Sequence, residues 1–206
     1  MAVTSAQFWD RAAPGYSKSP IADTESYARK LAATQALMQP SMSVLELGCG
    51  TGSTALEHAP HVAHIDATDV SAEMIAIGLD KARSAGIDNI DFRQASVEAF
   101  DESNTYDMVL ALNLIHLLED RKAALEKIHR LLKPGGLFIS STVCLADRMW
   151  YLRPVIPVLQ WLGKAPYVEF LSANNVLGEV SEAGFRSREH WTHGRANNLF
   201  LIAERV

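Results

Sequence analysis

The sequence predicts an α/β fold in which helices cover both faces of a seven-stranded, doubly wound and mostly parallel sheet. From residue 43 onward, apolar runs of strand length alternate with amphipathic stretches of helix length, which is typical of a parallel sheet. Closely spaced glycines follow the first apolar run, and an acid ends the second. Only a short polar loop separates the last two predicted strands, so we expect the final strand to be antiparallel.

The individual elements follow from hydrophobic periodicity and from the residues that interrupt it. Strands are predicted at residues 44–47, 64–69, 90–93, 106–113, 137–142, 184–191 and 198–203. Helices are predicted at residues 5–12, 23–38, 72–85 and 120–132. A break at residues 13–16 and a structural turn at 133–136 are expected from their proline and glycine. We expect one domain over residues 1–206, with a helical cap at 1–40 and an insertion at 144–171.

Composition excludes several classes of protein. The chain has 206 residues, of which 48% are hydrophobic and 21% charged, as expected for a globular domain with a full core. With a formal net charge of −5 and no block of Lys and Arg, no nucleic-acid surface is expected. Two cysteines, Cys49 and Cys144, are too few for a disulfide scaffold, and no apolar run of about 18 residues predicts a membrane span. Residues 1–19 lack the apolar core of a secretory signal, so we expect a cytoplasmic location.

The functional prediction depends on residues 44–53, which read VLELGCGTGS. An apolar strand runs into glycines at alternate positions, which let the backbone turn sharply and approach a ligand closely. Asp69 ends the next predicted strand about 20 residues further on, where nucleotide-binding βαβ units place an acid on ribose hydroxyls. Ser53 stands where the dinucleotide fingerprint has its third glycine, so the pattern departs from that fingerprint.

In four segments the sequence resembles the class I S-adenosylmethionine-dependent methyltransferases. The segments are VLELGCGTG at 44–52, TDVSAEM at 68–74, YDMVL at 106–110 and LLKPGG at 131–136. The resemblance implies a Rossmann-like methyltransferase fold, S-adenosylmethionine as the cofactor and methyl transfer as the activity. The cofactor-binding residues that it implies are Glu46, Gly48, Gly50, Gly52, Asp69, Val70, Met74, Ser96, Val97 and Asn113.

One cofactor segment departs from the family pattern. Members usually carry an acid at the position where this chain has Ser96, whose hydroxyl can still accept a hydrogen bond from an adenine amino group, but without charge. Recognition of the adenine by a side chain is therefore less secure than ribose binding. Two purely structural alternatives stay open: Asp69 could cap the following helix, and Met74 could be an ordinary core residue.

The acceptor side is predicted with less detail, because acceptor pockets are built from variable loops. The predicted acceptor-binding residues are Tyr16, Trp150, Tyr151, His193 and Arg195. Residues 144–170 are rich in aromatic and aliphatic side chains and start where the fifth strand ends, so we expect a lid over the acceptor pocket. Packing into the core and contact with a membrane surface are the alternatives. His116 is the candidate catalytic base, and a role as pocket wall is its alternative.

No metal is expected to take part. His58, His61 and His64 are spaced three apart, but they join a helix end to a strand start, at the edge of the sheet opposite the ligand. The leading function is methyl transfer to a small, apolar or amphipathic acceptor, with no nucleic-acid partner. The alternatives are a nicotinamide- or flavin-dependent oxidoreductase and an S-adenosylmethionine-binding protein without turnover. The accepting atom and the oligomeric state are not predicted.

Overall fold

The computed structural model describes residues 4–100 and 105–206, which form a seven-stranded sheet flanked by helices. The strands are β1 (Ser43–Leu47), β2 (His64–Asp69), β3 (Ile90–Gln94), β4 (Tyr106–Leu112), β5 (Leu132–Thr142), β6 (Phe185–His193) and β7 (Asn198–Arg205). The helices are α1 (Ser5–Lys18), α2 (Thr24–Gln35), α3 (Ser53–His58), α4 (Ala72–Ala85), α5 (Arg121–Leu131), α6 (Leu145–Arg148), α7 (Ile156–Trp161) and α8 (Ala173–Glu182). Short 3-10 turns lie at Ala59–His61, Ile115–Leu117 and Trp150–Leu152.

The sheet has the strand order β3-β2-β1-β4-β5-β7-β6. Strands β1 to β5 pair in parallel, and β7 runs antiparallel between β5 and β6. This arrangement confirms the predicted fold class. The chain order reverses at β1, which pairs with β2 on one side and with β4 on the other. Ligands of such sheets bind beyond the carboxyl ends of the strands at this reversal.

Two apolar layers hold the sheet, one on each face. The first lies under α5 and α8 and includes Leu125, Ile128 and Val176. The second lies under α2, α3 and α4 and includes Ala55 and Ile75. Because the central strands are buried on both faces, their backbone ends are held rigidly, and the loops that follow them are well positioned to carry a site.

The predicted break at residues 13–16 is wrong, because α1 continues through Pro14 to Lys18. A proline inside a helix costs about 3 kcal/mol, so tertiary contacts must compensate for it. Asp10 supplies one such contact: its carboxylate accepts hydrogen bonds from the Ser71 hydroxyl at 2.6 Å and from the Glu73 amide at 3.3 Å. These bonds tie α1 to the start of α4, over the end of β2.

The other differences concern element boundaries. The turn predicted at residues 133–136, before the fifth strand, instead lies inside β5 as a bulge. The pairing of β4 with β5 jumps from Tyr106 opposite Leu132 to Met108 opposite Leu137. Gly135 has a φ of +75°, which explains the glycine at the bulge. The last two strands each run two residues further than predicted, and α2 ends at Gln35.

Residues 144–171 form two short helices and a turn between β5 and α8. The two ends of this segment are anchored, since Cys144, Leu145 and Leu171 are buried and the Ala146 amide donates to the Leu171 carbonyl at 3.0 Å. Its middle is exposed. Among the described residues, none of the helices has the length and apolar character needed to cross a membrane.

Candidate functional site

The glycine turn after β1 has the backbone geometry that the sequence predicts. Gly48, Gly50 and Gly52 have φ values of +66°, +55° and +71°, which other residues rarely adopt. A Cβ on Gly48 would lie 2.8 Å from Leu114 Cδ1, whereas a Cβ on Gly50 would meet only Tyr16, at 3.9 Å. The turn is therefore closed on one side and leaves a hollow between Gly50 and α1.

Asp69 closes this turn from the neighbouring strand. Its Oδ2 accepts the Gly50 amide at 2.9 Å and its Oδ1 accepts the Ser71 amide at 2.9 Å. The N-cap alternative is wrong, because Ser71 caps α4 by accepting the Met74 amide. Burial raises the pKa of Asp69, and the backbone hydrogen bonds oppose that shift. Each carboxylate oxygen keeps a further lone pair for a ligand hydroxyl.

A cavity of about 370 Å³ opens at the carboxyl ends of β2, β1 and β4 and has the size of a small-molecule site. Eight of the ten predicted cofactor residues line it: Gly48, Gly50, Asp69, Val70, Met74, Ser96, Val97 and Asn113. The other walls are Ser5, Trp9, Tyr16, Ala95, Glu98, Leu112, Leu114, His116, Leu117, Leu118, Pro166 and Val168. Segments far apart in sequence therefore meet at one pocket.

Gly52 is not among the lining residues. A Cβ at this position would lie 2.7 Å from the Phe92 ring and 3.3 Å from the Gly78 backbone. Gly52 therefore serves the close packing of α3 against α4 and β3, while Gly48 and Gly50 face the ligand space.

Glu46 also lies outside the cavity wall, buried in β1 with 2% exposure. Its Oε2 makes no hydrogen bond to any described residue. Burial, with a further contribution from Asp69, raises the pKa of Glu46 to about 8. An uncharged carboxyl under the glycine turn is the expected state at neutral pH, since an isolated buried carboxylate is strongly disfavoured.

Ser96 stands at the position where the family carries an acid. Its Oγ accepts the Ala99 amide at 3.2 Å and so caps the short turn that follows β3. Ser96 and Val97 both line the cavity beside Val70 and Met74. This part of the wall can hold a flat apolar group, with the serine hydroxyl at its edge.

Asn113 and His116 continue the wall beyond β4. Asn113 has a φ of +59°, a left-handed conformation that asparagine tolerates. Its backbone N–H donates to the Ser141 carbonyl at 2.7 Å. The His116 ring is buried, and its Nδ1 accepts the Val143 amide at 3.4 Å. Burial lowers the pKa of His116 to about 4, so the ring is neutral at pH 7. With Nδ1 accepting, the proton resides on Nε2, which favours a hydrogen-bond donor over a base.

The wall formed by α1 was only partly predicted. Trp9 resembles ordinary apolar content of a short helix, and no sequence pattern distinguishes it. Its ring packs edge-on against Tyr16 with a centroid distance of 6.3 Å, and both side chains line the cavity. Tyr16 was predicted to bind the acceptor; its ring lies beside Gly50, and its part in acceptor binding stays a prediction. Although Tyr16 is 54% exposed, partial desolvation and the Asp69 charge raise its pKa.

The remaining predicted acceptor residues do not line the cavity. Trp150 and Tyr151 are 70% and 56% exposed, so the core alternative does not apply to them. Arg195 is exposed in the hairpin loop between β6 and β7. His193 is mostly buried, with its Nδ1 3.6 Å from the Asp23 carboxylate. A part for these four side chains in acceptor binding stays a prediction.

A second cavity of about 40 Å³ lies under α2 and shares Leu112 and Asn113 with the first. Lys30 lines it and donates to the Ser141 hydroxyl at 3.4 Å. Burial lowers the pKa of Lys30. Sequence reasoning missed this residue, because a lysine on an amphipathic helix resembles an exposed one.

The histidine spacing brings no metal cluster together among the described residues. His58 is fully buried with neither ring nitrogen hydrogen-bonded, and burial lowers its pKa to about 4. His64 instead lies near Asp66 and Asp91 on β2 and β3. The Arg93 guanidinium is 2.8 Å from Asp66 Oδ1 and offsets the charge of that group.

Comparison with known proteins shows a similarity to methyltransferases. The family profile described as "Methyltransferase domain" matches residues 44–136, which include the glycine turn, Asp69 and Asn113. Over these residues the chain is similar to methyltransferases, in agreement with the resemblance of its sequence to the S-adenosylmethionine-dependent class. The cofactor that this similarity implies is S-adenosylmethionine.

Curated methyltransferases are among the similar proteins. A ubiquinone biosynthesis O-methyltransferase of Acinetobacter baumannii is 29% identical over 153 residues, covering 71% of this chain and 64% of the relative. The chain spans less than two thirds of the length of the curated relatives that it matches first.

Two solved structures share the fold over almost the whole chain. The N-methyltransferase NodS of Bradyrhizobium japonicum WM9, in complex with S-adenosyl-L-homocysteine, has a TM-score of 0.76 at 18% identity, covering 98% of each chain. The [4+2]-cyclase SpnF has a TM-score of 0.79 at 19% identity, covering 100% of this chain and 97% of its own.

The residues of the cavity fit this cofactor. The hollow at Gly50 has room for a group that a side chain would displace, and the Asp69 carboxylate can accept from two adjacent hydroxyls. The apolar wall of Val70, Met74 and Val97 suits a purine face. The residues that would hold S-adenosylmethionine therefore extend from β2 across to β4.

Proposed function

We propose that this protein transfers a methyl group from S-adenosylmethionine to a small-molecule acceptor of apolar or amphipathic character. The observation that carries the proposal is one cavity that joins the glycine turn and Asp69 to His116, Pro166 and Val168. The glycine turn and Asp69 suit the cofactor. His116, Pro166 and Val168 lie beyond β4 and leave a mostly apolar space for an acceptor.

The sulfonium of the bound cofactor supplies an activated methyl group, so the protein has to position the reactants and exclude water. Gly48, Gly50 and Asp69 would hold the cofactor, and Trp9 and Tyr16 would cover it from α1. His116 would donate a hydrogen bond from Nε2 to the acceptor and so orient it. A base function for His116 is the weaker alternative, because its Nδ1 already accepts the Val143 amide.

The names of two similar proteins support a small-molecule acceptor. One relative is named as an O-methyltransferase of ubiquinone biosynthesis and one structural neighbour as an N-methyltransferase. We propose that the acceptor is a small molecule and that nucleic acid is not a partner, since the formal net charge is −5. We also propose a reduced, cytoplasmic setting, which the two free and buried cysteines support.

Calorimetric titration with S-adenosylmethionine and S-adenosylhomocysteine tests the cofactor site. We expect binding in the micromolar range, about 1–100 μM, with no divalent metal required. Asp69→Ala should weaken binding by about 1.5–3 kcal/mol, the scale of hydrogen bonds to a charged group. Asp80→Ala, at a largely exposed acid on α4, is the matched control and should bind normally.

Two results would contradict this scheme. Unchanged affinity in a folded Asp69→Ala protein would remove Asp69 from the site, and preferential binding of a nicotinamide or flavin nucleotide would favour the oxidoreductase alternative. Turnover requires a second experiment, in which metabolite pools are screened with methyl-labelled S-adenosylmethionine. Tight binding without label transfer to any pool would favour a binding protein or another reaction on the same fold.

A further inference from the structure

The exposed apolar side chains of this protein are concentrated in one segment. Among the described residues, eleven large hydrophobic side chains are exposed, and seven of them lie between residues 150 and 167. We call this set the exposed apolar surface; it consists of Trp150, Tyr151, Val155, Val158, Trp161, Leu162 and Tyr167. Trp161 is 84% exposed and Trp150 is 70% exposed. Together the two tryptophans expose roughly 300 Å² of largely apolar surface.

The surface is organised by α7. Val155, Val158 and Leu162 are spaced three and four apart and share one helical face, and Trp161 adjoins them. Ile156 and Leu159 lie on the other face and are partly buried. The helix is therefore unusual in that both of its faces are apolar, and the outer one has no partner within the described residues.

Basic residues surround this surface. Arg148, Arg153 and Lys164 are exposed, and none of them forms an ion pair with a described residue. Residues 148–168 contain three cations and no Asp or Glu, and the acids Asp147 and Glu169 lie at the two ends of this stretch. The positive charge is therefore local, and it coincides with the exposed tryptophans and tyrosines.

We propose that the exposed apolar surface docks on an anionic lipid bilayer. Tryptophan and tyrosine side chains favour the membrane–water interface, and lysine and arginine favour anionic headgroups. A second copy of the chain fits this surface less well. A two-fold interface would bring the same three cations of both copies together. Because α7 has six residues, it lies at the interface and does not span the bilayer.

The surface leads to the cavity. Tyr167 belongs to the exposed apolar surface, while its neighbours Pro166 and Val168 line the cavity wall. The Glu169 amide donates to the His116 carbonyl at 2.8 Å, which holds this strip of chain against the site. An amphipathic acceptor dissolved in lipid would reach the site along the strip. This last step rests on the proposed function, whereas bilayer binding does not.

Vesicle flotation with the full chain tests the proposal. The probes are vesicles of phosphatidylcholine alone and vesicles of three parts phosphatidylcholine to one part phosphatidylglycerol. We expect binding to the anionic vesicles to be at least about tenfold stronger than to the neutral ones, and to weaken as salt is raised. Tryptophan fluorescence should shift to shorter wavelength with the anionic vesicles only.

Surface variants locate the contact. Trp161→Ser and the pair Arg153→Glu with Lys164→Glu should each lower anionic-vesicle binding about tenfold or more. Leu79→Ser, at a 40% exposed position on α4, is the matched control and should bind like the unaltered chain. Since all these positions are exposed, melting temperatures should stay unchanged and loss of fold is separable from loss of binding.

Three outcomes would overturn the proposal: no binding to anionic vesicles, equal binding by Trp161→Ser, or a vesicle-free dimer that Trp161→Ser dissociates. The last outcome would assign the surface to a second copy of the chain. Vesicle binding is measured without cofactor, so its failure leaves the proposed function intact. Conversely, a protein that floats with vesicles but fails the S-adenosylmethionine titration would contradict only the proposed function.

Discussion

The glycine turn of residues 48–52 and the segment of residues 144–171 both follow a buried strand, yet they are built in opposite ways. In the turn, each glycine is restricted by a neighbour: the Gly50 amide donates to the Asp69 carboxylate, and a Cβ on Gly48 or Gly52 would collide with Leu114 or Phe92. In the segment, both ends are anchored and the middle exposes its apolar side chains to solvent. The backbone geometry of the glycine turn therefore requires particular residues, whereas residues 144–171 require only an apolar composition.

Under the proposed function, this difference separates two tasks. Binding the cofactor requires hydroxyl and backbone contacts at fixed places, and those contacts demand particular residues such as Gly and Asp. Binding an acceptor requires a wall of suitable size and polarity, which many residues can supply. The turn is therefore sensitive to single changes, and the segment should tolerate them.

The largest effect is expected for Gly48→Ala. At a φ of +66°, an alanine is strained, and its Cβ would lie 2.8 Å from Leu114. We expect a loss of about 3 kcal/mol in the free energy of unfolding, together with loss of S-adenosylmethionine binding. Urea unfolding and calorimetry measure the two quantities.

Gly86→Ala is the matched control for this change. Gly86 has the same φ of +66° at the C-cap of α4, but nothing lies within 4 Å of the position that a Cβ would take there. It should lose only about 1 kcal/mol, the cost of the backbone conformation, and keep full cofactor affinity. Equal losses for the two variants would mean that contact with Leu114 and the cavity plays no part.

The same contrast explains what could be predicted from the sequence. The alternation of strands and helices, the turn and Asp69 follow from residues that local physics restricts, and the structure brings Gly48, Gly50 and Asp69 together at the cavity as expected. Trp9, Lys30 and Val168 carried no such signal, because an aromatic, a lysine or a valine is compatible with many environments. The continuation of α1 through Pro14 was missed because it depends on Asp10 bonding to α4, which no local pattern contains.

The next largest effect concerns Glu46, which lies under the glycine turn and makes the stability of the fold depend on pH. Its folded pKa is about 8, against an ordinary value of 4.5. The stability that its protonated form contributes is fully present below pH 4.5 and is lost progressively as the pH rises to about 8. In Glu46→Gln, the free energy of unfolding should fall less steeply with rising pH. The slope should change by up to about 1.4 kcal/mol per pH unit, or about 2 kcal/mol over one and a half pH units.

Urea unfolding across this pH range measures the effect of Glu46→Gln. Glu57→Gln, at an exposed position on α3, should leave the pH dependence unchanged. Identical slopes for Glu46→Gln and the unaltered protein would show that the Glu46 carboxyl is ionised within the fold.

A smaller effect is expected for His116→Gln, once an acceptor is known. The glutamine amide can replace the Nε2–H donor, so methyl transfer should fall by no more than about tenfold, whereas loss of a base costs about 10²–10⁴-fold. Because the pKa of His116 is about 4, the pH profile of kcat/KM should have no inflection from this residue near neutrality. A hundredfold loss together with a lost inflection near pH 6–7 would identify His116 as the base.

The smallest effect on stability is expected for Trp150→Ala, in the other region of the comparison. Trp150 is 70% exposed, so the free energy of unfolding should change by less than about 0.5 kcal/mol. Leu171→Ala, at a buried anchor of the same segment, should lose about 2–5 kcal/mol. A loss in Trp150→Ala as large as that in Leu171→Ala would mean that the tryptophan packs into the fold after all.

Kinetics of Trp150→Ala then decide what the exposed side chain does. We expect unchanged affinity for S-adenosylmethionine, because Trp150 does not line the cavity. A raised acceptor KM with a water-soluble acceptor would mean that residues 144–171 close over the bound acceptor as a lid. A KM raised only when the acceptor is presented in anionic vesicles would instead place Trp150 at the lipid surface, where the same side chain acts before the acceptor reaches the cavity.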